Sequence, residues 1–210
     1  MTRDAILLLG AGGHARACID VIEQEGRFVI AGLVGLAHEV GSLILGYPVL
    51  GTDDDLPALL SDVPHALVTI GQIKTARHRI DAFFLLERIG CHFPVIVSAN
   101  AYVSPHAMLG AGTIVMHGAI VNAGAVVGRN CIINSRALVE HDVSIADHCH
   151  LATGAVVNGD ARIGAGTFVG SGASVRQGAC VGEHSVIGMG QRVLADCPAG
   201  TRMPSFREMS

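Results

Sequence analysis

The chain has 210 residues, of which half are apolar and 15% are charged, a composition typical of a soluble globular protein with one or two domains. Its net charge of -4 provides no basic stripe for nucleic acid or a membrane surface, so we expect a small-molecule partner. The apolar stretch Ala5–Leu9 is too short for a secretory signal. The six cysteines show no paired spacing, which favours reduced thiols and a cytoplasmic location.

The first part of the chain, residues 1–92, alternates short apolar strands with helical segments. The predicted strands are Ala5–Leu9, Phe28–Val34 and His65–Ile70, and the predicted helices are His14–Glu25 and Ile73–Ile89. Strands and helices that alternate in this way predict a small α/β, Rossmann-like domain with a largely parallel sheet.

A glycine-rich loop joins the first predicted strand to the first predicted helix. Residues Gly10–Ala15 fit the pattern G-x-G-x-x-A, whose backbone N–H groups and helix N-terminus suit a pyrophosphate. Binding of NAD would also need a carboxylate for the ribose about twenty positions further on, where this chain has Gly35 and Leu36. A nucleotide-sugar pyrophosphate therefore fits the loop better than NAD. A tight turn that binds nothing is the alternative.

From Val97 onward, every sixth residue as far as Val193 is Val, Ile or Leu. Four residues after each of these positions the side chain is small in almost every repeat. A six-residue period with one large and one small inward position is typical of a parallel β-helix. Three hexads make one coil, so residues 18 apart in the sequence should stack at about 4.8 Å. The pattern predicts a β-helix domain over residues 93–210.

A candidate base lies at a predicted corner of this β-helix. His141 stands between Glu140 and Asp142, and the positions one coil away carry Ala123 and Gly159. Two such small neighbours leave open space around the ring, and Gly159 lets a ligand approach its backbone N–H. A neutral imidazole accepts a proton near pH 7, and either carboxylate would orient it. An exposed turn histidine without a role is the alternative.

Two other classes of β-helix protein remain open at this point. A metal-dependent enzyme would need about three histidines on one metal, and no two histidines of this chain are 18 residues apart. A scaffold without catalysis is the second class. Cys131 and Cys149 are 18 residues apart on the small inward row, so we expect them to stack in the core and to be inert.

Three segments of the chain are similar to one family of enzymes. The segments Gly10–Ala15, Gly46–Gly51 and Asn134–Asp142 together resemble the sugar acetyltransferases related to bacterial sialic acid O-acetyltransferase and UDP-bacillosamine N-acetyltransferase. The resemblance spans nearly the whole chain. It implies a left-handed parallel β-helix of hexapeptide repeats, association as a homotrimer, and acetyl-CoA bound between neighbouring coils as the co-substrate, without a metal.

The resemblance also assigns roles to particular residues. It implies direct acetyl transfer with His141 as the general base and Asp142 as its partner. The residues that it places at the nucleotide-sugar substrate are Gly12, Gly13, His14 and Asn134. The residues that it places at acetyl-CoA are His150 and Gly159.

The resemblance further bears on the acceptor sugar. Relatives of the bacillosamine type carry an acidic pair that contacts uracil, where this chain has Gly35 and Leu36. GDP-perosamine, acetylated on its 4-amine in O-antigen lipopolysaccharide biosynthesis, is therefore the favoured acceptor, and a UDP-linked 4-amino sugar comes next. O-acetylation of a sugar like sialic acid is the alternative reaction.

Overall fold

The computed structural model describes residues 3–204, which form two compact units. The first unit contains the chain up to Gly71 together with His78–Ala99, and the second contains Gln72–Arg77 together with the chain from Asn100 onward. The outermost residues of the two predicted domains, residues 1–2 and 205–210, lie outside the described residues.

The first unit is the predicted α/β domain. Its strands are β1 (Asp4–Leu9), β2 (Phe28–Val34), β3 (Leu43–Ile44), β4 (Tyr47–Gly51), β5 (His65–Val68) and β6 (Ile96–Val97). Its helices are α1 (Gly13–Glu25), α2 (Leu56–Asp62) and α3 (Arg77–Ile89). Five of the strands form a sheet in the order β3-β4-β2-β1-β5, which is parallel except for the β3–β4 pair.

The core of the first unit lies between this sheet and its helices. Leu7 and Val34 come from adjacent parallel strands, and Phe83 and Leu86 come from one face of α3; all four are at most 1% exposed. Burial of aliphatic and aromatic side chains at this density supplies most of the stabilising free energy of such a layer. Because β1 is packed into this core, the loop that follows it is held at the carboxyl edge of the sheet.

The helix α3 begins at Arg77, four residues later than the sequence pattern predicts. The preceding residues belong to the second unit, where the Nε2 amide of Gln72 donates to the carbonyl oxygen of Gly166 at 3.1 Å. Thr75 Oγ1 then accepts the backbone N–H of Arg77 at 3.2 Å, in the manner of a helix cap. Tertiary hydrogen bonds thus override the helical periodicity of this segment. The strand β5 similarly ends at Val68, two residues before its predicted end.

The second unit is a parallel β-helix built from two-residue strands. They are β7 (Tyr102–Val103), β8 (Met108–Leu109), β9 (Ile114–Val115), β10 (Ile120–Val121), β11 (Val126–Val127), β12 (Ile132–Ile133), β13 (Leu138–Val139), β14 (Ser144–Ile145), β15 (His150–Leu151), β16 (Val156–Val157), β17 (Arg162–Ile163), β18 (Phe168–Val169), β19 (Ser174–Val175), β20 (Cys180–Val181), β21 (Val186–Ile187), β22 (Arg192–Val193) and β23 (Arg202–Met203). From β7 to β22, strands three apart in the chain pair in parallel, and β23 pairs with β21. The three resulting sheets are the flat faces of the helix.

The predicted register of the β-helix is confirmed. Val121 pairs with Val139 and Val139 pairs with Val157, so residues 18 apart are direct neighbours in the sheet. Every sixth residue from Val115 to Val193 is at most 2% exposed. The inward row of large aliphatic side chains is therefore the core of this unit, and the outward side chains of each coil stack on those of the next.

Cys131 and Cys149 lie on the small inward row, as predicted. Both are fully buried, and their Sγ–H groups donate to the carbonyl oxygens of Ala146 at 3.2 Å and Gly164 at 3.1 Å. Burial and the hydrogen bond with Cys131 raise the pKa of the Cys149 thiol well above its ordinary value. A buried thiol with a raised pKa carries too little thiolate to act as a nucleophile.

None of the helices between residues 3 and 204 is both long and apolar enough to cross a lipid bilayer.

Adjacent residues of one strand give a direct test of the inward row. Ile145 is 2% exposed, whereas its neighbour Ser144 faces outward. We expect Ile145→Ala to lower the free energy of unfolding by about 2–5 kcal/mol, because the removed atoms leave a cavity. Ser144→Ala should change it by no more than about 0.5 kcal/mol. Urea denaturation at a fixed protein concentration measures both values, and equal effects of the two variants would contradict the assigned register.

Candidate functional site

The corner that follows β13 brings together three residues of the predicted site. Asp142 has a positive φ of 60°, and its backbone N–H donates to the carbonyl oxygen of Ala123 one coil away at 3.1 Å. Aspartate is among the few residues that tolerate this left-handed conformation. Gly124 lies below it, and a Cβ at that position would collide with Asp142 Oδ1. The corner therefore holds the Asp142 carboxylate outward, toward the ring of His141.

The ring of His141 is hydrogen-bonded to this carboxylate. The distance from His141 Nδ1 to Asp142 Oδ2 is 2.9 Å, and the two side chains are 57% and 67% exposed. A carboxylate only accepts hydrogen bonds, so Nδ1 is the donor. In the neutral ring this leaves Nε2 with its lone pair free to accept a proton from a ligand.

The other neighbouring carboxylate has a different partner. Glu140 Oε2 accepts a hydrogen bond from Asn122 Nδ2 at 3.0 Å and a long one from the backbone N–H of His141 at 3.4 Å. The sequence left open whether Glu140 or Asp142 orients the imidazole. The structure assigns that part to Asp142, while Glu140 ties the turn to the coil below.

Gly159 lies directly against the His141 ring. A Cβ at Gly159 would be 2.7 Å from both Cε1 and Nε2 of His141, closer than real Cβ contacts. Only glycine permits the ring to rest at this level of the stack. The unprotonated Nε2 edge of the ring and the backbone of Gly159 are therefore next to each other on the surface of the β-helix.

The carboxylate changes the acid–base behaviour of His141. The hydrogen bond with Asp142 raises the pKa of His141 above its ordinary value. Desolvation opposes this shift, and the nearby charges of Asp142, Glu140 and Asp160 act in the upward direction. A raised pKa makes His141 a stronger base once it is neutral, but it requires a higher pH before the neutral form predominates.

Asn134 and His150 form a second pair in the same unit. Asn134 Nδ2 lies 3.1 Å from His150 Nε2, and His150 Nδ1 lies 2.7 Å from the carbonyl oxygen of Gln72. The ring of His150 is 7% exposed and packs edge-on against Phe168 at 5.2 Å between ring centroids. The two residues that the resemblance placed at different ligands are thus direct hydrogen-bond partners.

The glycine-rich loop of the first unit opens into a cleft of about 750 Å³. The predicted residues Gly12, Gly13 and His14 all line it, at the point where α1 begins. Gly12 is the N-cap residue and contributes no side-chain cap, and the first turn of α1 carries no acidic residue. The N-terminus of α1 and the positive end of its helix dipole therefore lie at the cleft, as an anion site requires.

The cleft also contains charged residues that the sequence analysis missed. They are Glu39, Asp53, His78, Asp81 and Arg88. The expectation that no carboxylate lies near the end of β2 was wrong, since Glu39 Oε2 accepts the backbone N–H of Leu36 at 2.8 Å. Three of the five, His78, Asp81 and Arg88, lie on one face of α3, and their spacing in the sequence could have revealed them.

Among the described residues, no group of three or more His, Cys, Asp or Glu side chains is arranged to hold a metal ion.

Two family models match separate parts of the chain. The model of the PglD N-terminal domain matches residues 5–82, and the model of the bacterial transferase hexapeptide repeats matches residues 124–159. None of the curated proteins compared with the chain gives a significant match.

Several solved structures are similar over nearly the whole chain. PerB from Caulobacter crescentus, in complex with CoA and GDP-perosamine, is 30% identical with a TM-score of 0.89, and the match covers 97% of this chain and 95% of that one. The acetyltransferase domain of PglB from Neisseria gonorrhoeae, in complex with acetyl coenzyme A, is 29% identical with a TM-score of 0.88, and the match covers 97% of both chains. WeeI from Acinetobacter baumannii, at 23% identity, 97% coverage of both chains and a TM-score of 0.76, shares the fold.

The hydrogen bond between His141 and Asp142 predicts a shift that nuclear magnetic resonance can measure. Asp142→Asn removes the charge that stabilises the imidazolium form, so the pKa of His141 should fall toward its ordinary value. Titration of the His141 Cε1 proton in both proteins gives the two midpoints. As a control, Asp160→Asn should move the midpoint less, because Asp160 acts on His141 only through its charge. An unchanged midpoint in Asp142→Asn would contradict the assigned pair.

Proposed function

Because the chain belongs to the family of hexapeptide-repeat sugar acetyltransferases that carry the PglD N-terminal domain, we propose that it acetylates the 4-amine of a nucleotide-linked amino sugar. Acetyl-CoA is the acetyl donor, and GDP-perosamine is the favoured acceptor. The observation that carries this proposal is the largely exposed ring of His141, which is held by Asp142 and lies against Gly159.

The proposed reaction is direct transfer between the two bound substrates. The sugar amine attacks the thioester carbonyl, its nitrogen forms the new amide bond, and His141 Nε2 accepts the proton that the amine loses. The C–S bond breaks and CoA leaves as its thiol or thiolate. Asp142 stabilises the imidazolium that forms, as the carboxylate does in other base–carboxylate pairs. No covalent enzyme intermediate is needed, and the buried thiols of Cys131 and Cys149 are not placed to form one.

The backbone N–H of Gly159 is a candidate donor to the thioester oxygen as negative charge develops on it. Orientation of two bound substrates lowers a barrier by about 7–11 kcal/mol, whereas a general base contributes about 3–5 kcal/mol, which corresponds to a factor of 10²–10⁴. Binding and alignment are therefore the larger contribution, and His141 is the smaller one.

The cleft of the first unit is the proposed site of the nucleotide. Gly12 and Gly13 at the start of α1 supply backbone N–H groups for the pyrophosphate, and His14 is the first side chain beyond them. Support from relatives comes from PerB, whose structure contains GDP-perosamine.

We also propose that the protein acts in the cytoplasm and that it is a homotrimer. The trimer would bury apolar side chains that are exposed on the faces of the β-helix, such as Tyr102, Met108 and Ile120.

The role of His141 is tested by its replacement. We expect His141→Ala to lower kcat by about 10²-fold, at the lower end of general-base effects, because an amine that is partly unprotonated needs the base less than a hydroxyl does. His106→Ala, at another exposed turn of the β-helix, is the matched control and should retain full activity. Wild-type turnover of His141→Ala at every pH would show that His141 is not the base. A loss of all detectable activity would favour a hydroxyl acceptor, and hence the O-acetyl alternative.

The nucleotide site is tested at Gly13, where a Cβ would meet no atom within 4 Å. Gly13→Asp places a negative charge at the helix N-terminus and should raise KM for the nucleotide sugar about tenfold or more, through repulsion of the pyrophosphate. KM for acetyl-CoA should not change. Gly13→Asn is the control of the same size without the charge. Equal KM values for the two variants would contradict a pyrophosphate at this loop.

A further inference from the structure

We propose that His150 is a positioning residue, which transmits the fixed orientation of the Gln72 carbonyl to the side-chain amide of Asn134 through its two ring nitrogens. This inference rests on the proposed function, together with the expectation from the family resemblance that Asn134 lies at the nucleotide sugar. It replaces a direct contact between His150 and acetyl-CoA with an action through Asn134.

The carbonyl of Gln72 determines the tautomer of His150. A carbonyl oxygen only accepts hydrogen bonds, so at 2.7 Å the proton must lie on His150 Nδ1. In the neutral ring Nε2 is then an acceptor. Its partner at 3.1 Å is the amide of Asn134, which must therefore present its nitrogen and not its oxygen.

An independent contact fixes the same orientation of the Asn134 amide. Asn134 Oδ1 accepts the backbone N–H of Ser135 at 2.7 Å, which holds the oxygen away from His150. The two constraints agree, so the amide has one orientation and not two. A rotated amide would place two acceptors against each other at His150 Nε2 and two donors at Ser135, each at the cost of an unsatisfied polar group.

The hydrogen-bonded series from the Gln72 carbonyl through His150 to Asn134, here called the relay, begins at a residue that is held within the second unit. Gln72 is 3% exposed, and its side-chain Nε2 donates to the carbonyl oxygen of Gly166 at 3.1 Å. The His150 ring stands between the side chains of Ile132 and Phe168 on adjacent strands. Both the carbonyl that sets the tautomer and the plane of the ring are therefore fixed by packing.

At its other end, the relay fixes the positions of one hydrogen-bond donor and one acceptor on the Asn134 side chain. Its side chain is half-buried, and Nδ2 keeps a second N–H while Oδ1 keeps a second lone pair. A ligand meets this donor and acceptor in fixed positions, without the entropy loss of ordering a free amide. Because both ring nitrogens of His150 are already hydrogen-bonded to the protein, the ring has no lone pair or N–H left for a ligand in the plane of the ring.

The tautomer is measurable without any activity assay. In protein labelled with ¹⁵N-histidine, long-range proton–nitrogen correlation spectra should show His150 protonated on Nδ1 and unprotonated on Nε2, with His150→Asn used to assign the signal. Protonation on Nε2, or on both nitrogens at neutral pH, would overturn the relay. This measurement holds even for a protein with no acetyltransferase activity, so its outcome is separate from that of the proposed function.

A double-mutant cycle tests whether the relay acts on the substrate. His150→Asn keeps an N–H near the position of Nδ1 for the Gln72 carbonyl but removes the acceptor for Asn134. We expect His150→Asn and Asn134→Ala each to lower kcat/KM about tenfold per folded molecule, and the double variant to lower it no further, because both remove the same interaction. Multiplicative losses in the double variant would show that His150 acts independently of Asn134 and would overturn the proposal.

The chain contains a matched control for the loss of a buried His–Asn pair. His148 Nδ1 and Asn130 Nδ2 are 3.0 Å apart, and both residues are buried in the same unit. His148→Asn and Asn130→Ala should lower the melting temperature without lowering kcat/KM per folded molecule. If they lower kcat/KM as much as the variants at Asn134 and His150, the effect is one of general stability, and the positioning role is wrong.

Discussion

The six-residue period of the β-helix is the constraint on which the rest of the second unit depends. Because three hexads close one coil, each outward side chain has its neighbours 18 residues away, as the pairing of Leu138 with Ile120 and Val156 shows. The chemistry of a corner is then decided by what the adjacent coils carry at the same position. His141 has room for its ring only because Gly159 follows it in the stack, and Asp142 keeps its orientation only because Gly124 precedes it. A repeat that packs the core thus also builds the site.

Two histidines of this unit have different proposed roles because their surroundings differ. His141 is largely exposed, carries its proton on the side of Asp142 and leaves Nε2 to the solvent, which suits proton transfer. His150 is buried, and the protein uses both of its nitrogens, which suits the positioning of a neighbour. The extent of burial and the number of hydrogen bonds already made by the ring, rather than the residue type, distinguish a candidate base from a positioning residue. The raised pKa of His141 follows from the same carboxylate that orients it.

Much of the fold could be predicted from the sequence, because its signals are local and periodic. The aliphatic hexads gave the β-helix and its register, and the loop Gly10–Ala15 gave the start of α1 and its cleft. The start of α3 at Arg77 could not be predicted, since Gln72 is held by hydrogen bonds to residues more than seventy positions away. Glu39 was missed for a similar reason, because the short 3-10 helix Ala37–Glu39 after β2 turns its carboxylate back to the strand end. Contacts distant in sequence leave no local pattern to read.

The proposed mechanism requires that the acceptor amine and the thioester meet at His141. A crystal structure with CoA and a nucleotide-linked amino sugar bound measures this most directly. The proposed mechanism predicts an acceptor nitrogen within hydrogen-bond reach of His141 Nε2, about 2.6–3.2 Å, with the CoA sulfur next to Gly159. An active enzyme in which the amine lies beyond that reach, with another side chain in contact with it, would contradict the assignment of His141 and with it the proposed mechanism.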